Sequence, residues 1–143
     1  MLINFFEKKS AMNDEPQKTE EPQLSDKIQV REYIREDGSS PYQKWFEQLN
    51  SQAAAKVAAA NFRLESGNTS NVKWFEGIGE YKIDWGPGYR IYLAQDGKKL
   101  IVLFGGGTKK SQKSDINRAK EMHQEYKKRK KAATRKIEKK KKE

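Results

Sequence analysis

The stretch that decides the fold runs from residue 79 to residue 104 and reads GEYKIDWGPGYRIYLAQDGKKLIVLF. Two turn signals, Gly86-Pro87-Gly88 and Asp96-Gly97, divide this stretch into three apolar segments. We therefore predict strands over residues 72–85, 89–94 and 99–104, joined by tight turns. The last of them is an uninterrupted apolar run, which is typical of a central strand covered on both faces.

One strand and two helices are predicted before this stretch. Residues 27–35 alternate apolar and polar side chains, which indicates the strand. Ser40 and Pro41 are an N-cap pair for the first helix, and Ser51 can cap a second helix that Gly67 ends. The two helices are expected to form a hairpin. Their apolar residues at helical spacing are Tyr42, Trp45, Phe46, Leu49, Ala53, Val57, Ala60 and Leu64.

A last helix is predicted to begin at Ser111 or Ser114, and its apolar side consists of Ile116, Ala119, Met122 and Tyr126. That stripe ends near residue 126, so we expect the Lys-rich tail, residues 127–143, to fray in the absence of a partner. Residues 1–25 contain two prolines and five acidic residues and are interpreted as a flexible extension. One compact domain is therefore expected over residues 26–126.

The net charge of +10 is unevenly placed along the chain. Residues 1–25 carry three Lys against five acids, residues 26–120 carry sixteen basic against eleven acidic residues, and residues 121–143 carry eleven against four. A basic domain with a more basic end favours a polyanionic partner, because each neutralised phosphate releases a condensed counterion. Nucleic acid is the leading candidate, and the alternative is a surface rich in Lys and Glu that serves solubility.

Several kinds of site and compartment are disfavoured by what the sequence lacks. It contains no Cys, which excludes disulfides, thiolate catalysis and zinc sites with sulfur ligands. No secretion signal and no stretch of membrane-spanning length is recognisable, so we expect a cytoplasmic protein with no membrane partner. The sole histidine, His123, is interpreted as structural, and no acidic cluster suits a metal ion, so we expect no cofactor.

The chemistry is expected on the polar face of the hairpin around residues 86–88, because alternate side chains of a strand point to opposite faces. If residues 86–88 form the loop, Asp84 lies opposite Arg90 and Lys82 lies opposite Tyr92 on that face, together with Glu80. Cations can fix a phosphodiester, while a tyrosine can stack on a base or move a proton. The alternative is the solvated side of an antiparallel sheet. The opposite, apolar face is predicted to carry Tyr81, Ile83, Trp85, Tyr89, Ile91 and Leu93.

A set of motifs occurs in order over residues 26–126: Trp45-x3-Leu49, Arg63-Leu64, Gly67-Asn68, GIGEYKI at 77–83, GPGYRIY at 86–92 and GGTKKSQKSDINRA at 106–119. In sequence and spacing they resemble the HigB-like addiction module killer proteins of the RelE/ParE toxin superfamily. The resemblance implies a RelE-like α+β fold with the order β-α-α-β-β-β-α. In that fold a small, mainly antiparallel sheet is packed by a helical hairpin and a C-terminal helix.

The same resemblance implies a toxin of a type II toxin-antitoxin system. Such a toxin is a metal-independent, ribosome-dependent mRNA endoribonuclease that inhibits translation. Its implied partners are mRNA, the ribosome with its rRNA, and a cognate helix-turn-helix antitoxin.

Candidate site residues are carried over by position. The catalytic candidates are Glu80, Lys82, Arg90 and Lys109, and the RNA-binding candidates are Lys73, Tyr92, Gln112 and Lys110. Two positions depart from the family's pattern, since Lys82 stands where Arg is usual and Thr108 where Asp is usual. Lysine lacks the planar fork that arginine offers a phosphate, so weaker catalysis is expected.

The hypothesised reaction is attack of an RNA 2′-hydroxyl on the adjacent phosphate, which leaves a 2′,3′-cyclic phosphate. Arg90 and Lys109 would stabilise the growing charge, while Lys82, Glu80 or Tyr92 would move protons. Two alternatives stay open: a non-catalytic, ParE-like inhibitor of DNA gyrase, and a basic RNA-binding protein without toxicity that binds through residues 127–142.

Overall fold

The computed structural model describes residues 27–142, and the predicted extension over residues 1–25 lies outside them. In chain order the elements are β1 (Gln29–Glu32), α1 (Pro41–Glu47), α2 (Ser51–Glu65), β2 (Val72–Phe75), β3 (Ile78–Ile83), β4 (Tyr89–Asp96), β5 (Leu100–Gly107) and α3 (Gln112–Lys141), with a 3-10 turn at Lys109–Ser111 before α3. The predicted α+β class is confirmed.

The strands form one five-stranded mixed sheet in the order β1-β5-β4-β3-β2. Neighbouring strands are antiparallel except β1 and β5, which run parallel with Gln29 opposite Leu100. The apolar run in β5 is buried from Ile101 to Phe104, as predicted for an interior strand.

The predicted strand over residues 72–85 is wrong as a single element. The chain reverses at Glu76 and Gly77, both of which have positive φ (49° and 87°), so β2 and β3 are separate antiparallel strands. Positive φ at both central residues is the geometry that closes a two-residue hairpin. The described element order is therefore β-α-α-β-β-β-β-α, one strand more than expected.

The first two helices begin as local capping chemistry dictates. Ser40 accepts a hydrogen bond from the Gln43 amide, and Pro41 occupies the first turn of α1, as predicted. Asn50, and not Ser51, caps α2 by accepting from the Ala53 amide at 2.8 Å. The predicted stripe on α2 is confirmed, since all four of its members are buried: Ala53, Val57, Ala60 and Leu64.

The sheet has two differently covered faces, each with its own hydrophobic core. The hairpin-helix face packs against α1 and α2, and its buried strand residues are Val72, Tyr81, Ile83, Ile91, Leu93, Ile101 and Leu103. The α3 face packs against α3, and its buried hydrophobic residues include Ile78, Tyr92, Ala94, Val102 and Phe104, with Ala119 and Met122 from the helix. The predicted apolar face of the β3–β4 hairpin is confirmed as part of the hairpin-helix face.

Helix α3 is a single helix of 30 residues, which corresponds to about 45 Å. Its first half packs on the sheet, while every residue from Lys131 to Lys142 is exposed. The expectation that the tail would fray after residue 127 is not met here, because the helix continues without a break to Lys141. The predicted domain boundary at residue 126 thus falls inside α3.

Candidate functional site

The β3–β4 hairpin has a different register from the one predicted. Ile83 pairs with Tyr89 and Lys82 with Arg90, so Glu80 lies opposite Tyr92. The predicted pairs of Asp84 with Arg90 and of Lys82 with Tyr92 are therefore wrong. The reason is the loop, which spans residues 84–88 and uses positive φ at both of its glycines.

The polar face, on which the sequence predicts contact with a phosphodiester, is buried at three of its five members. Glu80, Arg90 and Tyr92 are only 7%, 5% and 1% exposed. The start of α3 lies against them, since Gln112 reaches the Glu80 carboxylate. In this arrangement Tyr92 has no free ring face on which an RNA base could stack.

The buried residues form one hydrogen-bonded network around the Glu80 carboxylate. Oε2 of Glu80 accepts from the Tyr92 hydroxyl at 3.1 Å and from Nε2 of Gln112 at 2.8 Å. Nε of Arg90 stands 3.7 Å from the same oxygen, within ion-pair range but beyond hydrogen-bond reach. Nη1 of Arg90 donates to the Gly88 carbonyl at 2.8 Å. The Arg90 guanidinium therefore links the loop over residues 84–88 to the paired strands β3 and β4.

The electrostatics of this network concern Tyr92 and Arg90. Burial, reinforced by the adjacent Glu80 carboxylate, raises the pKa of Tyr92 well above its ordinary value. Its phenol stays protonated and serves as a donor to Glu80. Nε of Arg90 is buried without a hydrogen-bond partner among the described residues. A buried charged donor left in this way costs free energy.

Exposed lysines border the network on the same face. Lys73 is the cross-strand partner of Glu80, and Lys82 is the cross-strand partner of Arg90. Directly opposed residues point to the same side of a sheet, so both lysines stand on the α3 face. Both are exposed.

Lys109 and Lys110 follow immediately after β5, in the 3-10 turn. The last residue of β5, Gly107, pairs with Arg90, which brings this turn to the end of the sheet where Lys82 lies. Both lysines are exposed, and within residues 27–142 neither forms a hydrogen bond to the Glu80 network.

The structure thus divides the predicted site residues into two sets. One set is in mutual contact and consists of Glu80, Arg90, Tyr92 and Gln112. The other set surrounds it as exposed cations and consists of Lys73, Lys82, Lys109 and Lys110. The arrangement can hold an anion at its surface through the second set, with the first set fixing the strands beneath.

One neighbouring residue was missed by the sequence analysis. Asp115 is 6% exposed, accepts from the Ser111 hydroxyl and pairs with Arg118. It lies three residues after Gln112 on α3, and residues three apart share a helix face. Its position in the first turn of a helix was the available signal.

A cleft between α1 and α3 reaches Tyr92 from the other side of β5. Its volume is about 600 Å³, and Gly105 and Gly106 form part of its wall. Lys44, Trp45 and Arg118 line it as well. The cleft was not predicted, because it arises where β1 stops pairing and leaves the last residues of β5 without an outer neighbour.

His123 is half-buried on α3 and packs against the Phe104 ring. Burial lowers its pKa, and the nearby Lys127 acts in the same direction. Across residues 27–142, no group of three or more His, Asp or Glu side chains lies close enough together to hold a metal ion. Over the same residues, no helix combines the length and the apolar character that crossing a bilayer requires.

The fold and site describe a small α+β protein with a basic surface around a buried Glu–Arg pair. No family model matches the sequence, and no solved structure matches it. An uncharacterized protein of Haemophilus influenzae is 41% identical to the chain over 86 residues, which cover 59% of this chain and 87% of that relative. The chain belongs to the same family as this Haemophilus influenzae protein.

Proposed function

We propose that the chain is a toxin of the RelE/HigB type, with a RelE-like fold, that cleaves mRNA on the ribosome and is neutralised by a helix-turn-helix antitoxin. One observation carries the proposal. Lys82 and Arg90 are directly opposed on one sheet face, over Glu80, at the end of the sheet where Lys109 and Lys110 follow β5. The motif resemblance supports the same assignment.

The proposed reaction is transesterification within the RNA. The 2′-oxygen forms a bond to the adjacent phosphorus, and the bond from that phosphorus to the 5′-oxygen breaks. The proton of the 2′-hydroxyl passes to water, and the departing 5′-oxygen takes a proton from water. The products are a 2′,3′-cyclic phosphate and a 5′-hydroxyl end.

We assign charge stabilisation to the exposed cations. Lys82 and Lys109 are exposed, so an RNA phosphate can reach them, and cations at the developing charge lower the free energy of the transition state. Lys82 supplies a single point charge where an arginine would supply a bidentate fork. A modest rate is therefore expected from this chain.

We assign a positioning role to Glu80 and Arg90. Arg90 donates a hydrogen bond to the Gly88 carbonyl and lies beside Glu80. The pair therefore fixes the hairpin backbone from which the Lys82 side chain projects. Burial of Glu80 and Tyr92 keeps them from exchanging protons with an RNA at the surface. Alignment of the substrate then depends on the ribosome, and cleavage of free RNA should be slow.

The test is induction of the chain without an antitoxin, followed by growth measurement and mapping of new RNA 5′ ends. Lys82→Gln should reduce both growth arrest and in-codon cleavage at least tenfold, because it removes an exposed phosphate contact. Lys82→Arg should retain or raise activity. Lys98→Gln, an equally exposed lysine at the other end of the sheet, is the matched control.

Two results would overturn the proposal. Full growth arrest and unchanged cleavage by Lys82→Gln would show that the β3–β4 hairpin is not the site of RNA cleavage. Growth arrest with no new 5′ ends, accompanied by loss of DNA supercoiling, would instead indicate the gyrase inhibitor.

A further inference from the structure

The C-terminal part of α3 carries far more positive charge than its own structure needs. Residues 127–142 contain eleven Lys and Arg and one acidic residue, Glu138. From Lys131 onward every described side chain is exposed. Among residues 27–142, no carboxylate forms an ion pair with a cation beyond Lys130. The described part of the body therefore leaves this charge unneutralised.

Five of these eleven cations also lie on one side of the helix. A row of residues spaced by three or four positions consists of Lys128, Lys131, Arg135, Lys139 and Lys142. Such spacing places side chains along one side of a helix, and we call these five residues the basic row. The row extends for about 21 Å. Ile137, the one large apolar residue of this part, lies on the opposite side, 57% exposed.

Like charges four residues apart weaken an isolated helix. Three such pairs occur in succession from Lys127 through Lys131 and Arg135 to Lys139. A partner that neutralises them would stabilise the helix, so binding and helix formation are coupled here.

We infer that the basic row is a binding surface for the phosphate backbone of a nucleic acid, separate from the surface around the β3–β4 hairpin. Each contact releases condensed counterions, which gives affinity without sequence readout. A membrane surface fits less well, because helices that lie on bilayers bury a broad apolar face, and this part offers only Ile137.

The side of α3 opposite the basic row is anchored to the end of the sheet. Lys130 is held by Asp96 at 2.6 Å, and Asp96 together with Lys98 and Lys99 lines an open groove of about 1070 Å³. Lys27 and Arg31 line the same groove. Lys130 lies seven residues before Ile137 and shares its side of α3, so this groove is separate from the basic row.

The two basic surfaces lie at opposite ends of the body. Gln112, which touches Glu80, and Lys130 are separated by eighteen residues of one helix, or about 27 Å. A nucleic acid held by the basic row would leave the hairpin free for a second strand and would raise its local concentration.

The experiment measures binding of the full chain to a 20-base-pair RNA duplex and to the DNA duplex of the same sequence, across a salt series. Lys131→Gln with Lys139→Gln neutralises two members of the basic row. Lys127→Gln with Lys141→Gln removes the same charge and the same residue type from the same helix, outside the row. Anionic phospholipid vesicles serve as a third probe.

We expect the row variant to bind about tenfold more weakly near 150 mM salt, with a logarithmic salt slope reduced by about two. The matched variant should lose less than half as much. Preference for one duplex identifies the natural source of the phosphates.

Equal losses in both double variants would overturn the inference, as would tighter binding to vesicles than to either duplex. Either result leaves the hairpin proposal untouched, because its readout is RNA cleavage. Conversely, a chain that binds duplex through the row but cleaves nothing would retain this surface and lose the proposed toxin activity.

Discussion

The two faces of the sheet bury different kinds of side chain. The hairpin-helix face is filled with aliphatic and aromatic side chains under α1 and α2. The α3 face buries Glu80 and Arg90 beside Phe104 and Tyr92. Apolar packing tolerates small shifts, whereas a buried ion pair needs each partner to be present. One face of the sheet should therefore tolerate small changes in packing, whereas the other face should be destabilised when either charged partner is removed.

The sharpest test of this difference is Arg90→Met. It leaves the Glu80 carboxylate buried without its cation, so the free energy of unfolding should fall by about 3–5 kcal/mol. Adding Glu80→Gln removes the orphaned charge while keeping an acceptor for Gln112, and should recover most of the loss. Urea denaturation of both variants measures this. A loss below about 1 kcal/mol in the single variant would mean that the guanidinium is solvated.

The corresponding test on the hairpin-helix face is Gly79→Ala. A Cβ there would stand 2.7 Å from Cγ1 of Val72 and 2.9 Å from Cδ1 of Leu93. Overpacking of this kind should lower the free energy of unfolding by about 1–3 kcal/mol. No buried charge is involved, so no second substitution of a charged residue should restore the loss. Thermal unfolding checks it, with the exposed Gln95→Ala on β4 as the control. A neutral result would show that this face is looser than described.

A smaller effect is expected at the seam between α3 and the sheet. Gln112→Ala removes one donor from Glu80 and should cost about 1.5 kcal/mol, since the acceptor is charged. The exposed neighbour Lys113→Ala should stay within about 0.5 kcal/mol of the parent. Indistinguishable unfolding midpoints for the two variants would refute the contact.

The smallest effect concerns pH and His123 on the α3 face. Its pKa is lower in the folded chain than the ordinary 6.5, mainly because of burial, although Asp96 opposes the shift. The unfolded chain therefore takes up the proton first, and stability falls as pH drops below about 6.5. His123→Gln should lose less stability than the parent between pH 7.5 and 5.5 in urea titrations. Equal losses of unfolding free energy in His123→Gln and the parent would mean that other groups cause the acid sensitivity.

Much of the hairpin-helix face was predictable from sequence because its signals are local. The stripe from Ala53 to Leu64 and the alternation through Tyr81 and Ile83 each follow from one periodicity. The split between β2 and β3 was not predictable in the same way. It depends on positive φ at Glu76, a residue type that rarely adopts that conformation.

The α3 face was harder to predict because its burial depends on an element distant in sequence. Alternation correctly places Glu80 and Arg90 on one side of the hairpin, but it carries no information on what covers that side. Gln112, thirty-two residues from Glu80, supplies the cover. Polar residues in a strand therefore predicted the composition of the site and not its exposure. The roles of the exposed lysines Lys82 and Lys109 stay predictions.

The parallel pairing of β1 with β5 has a consequence for synthesis of the chain. Gln29 must wait for Leu100, seventy-one residues later, before it can join the sheet. At about 5–20 residues per second, that delay is on the order of 4–14 s. During this interval β1 has no partner strand, so any chaperone that meets the nascent chain meets β1 unpaired. Pairing of β1 with β5 is thus a long-range step in folding, and slowing it should favour aggregation.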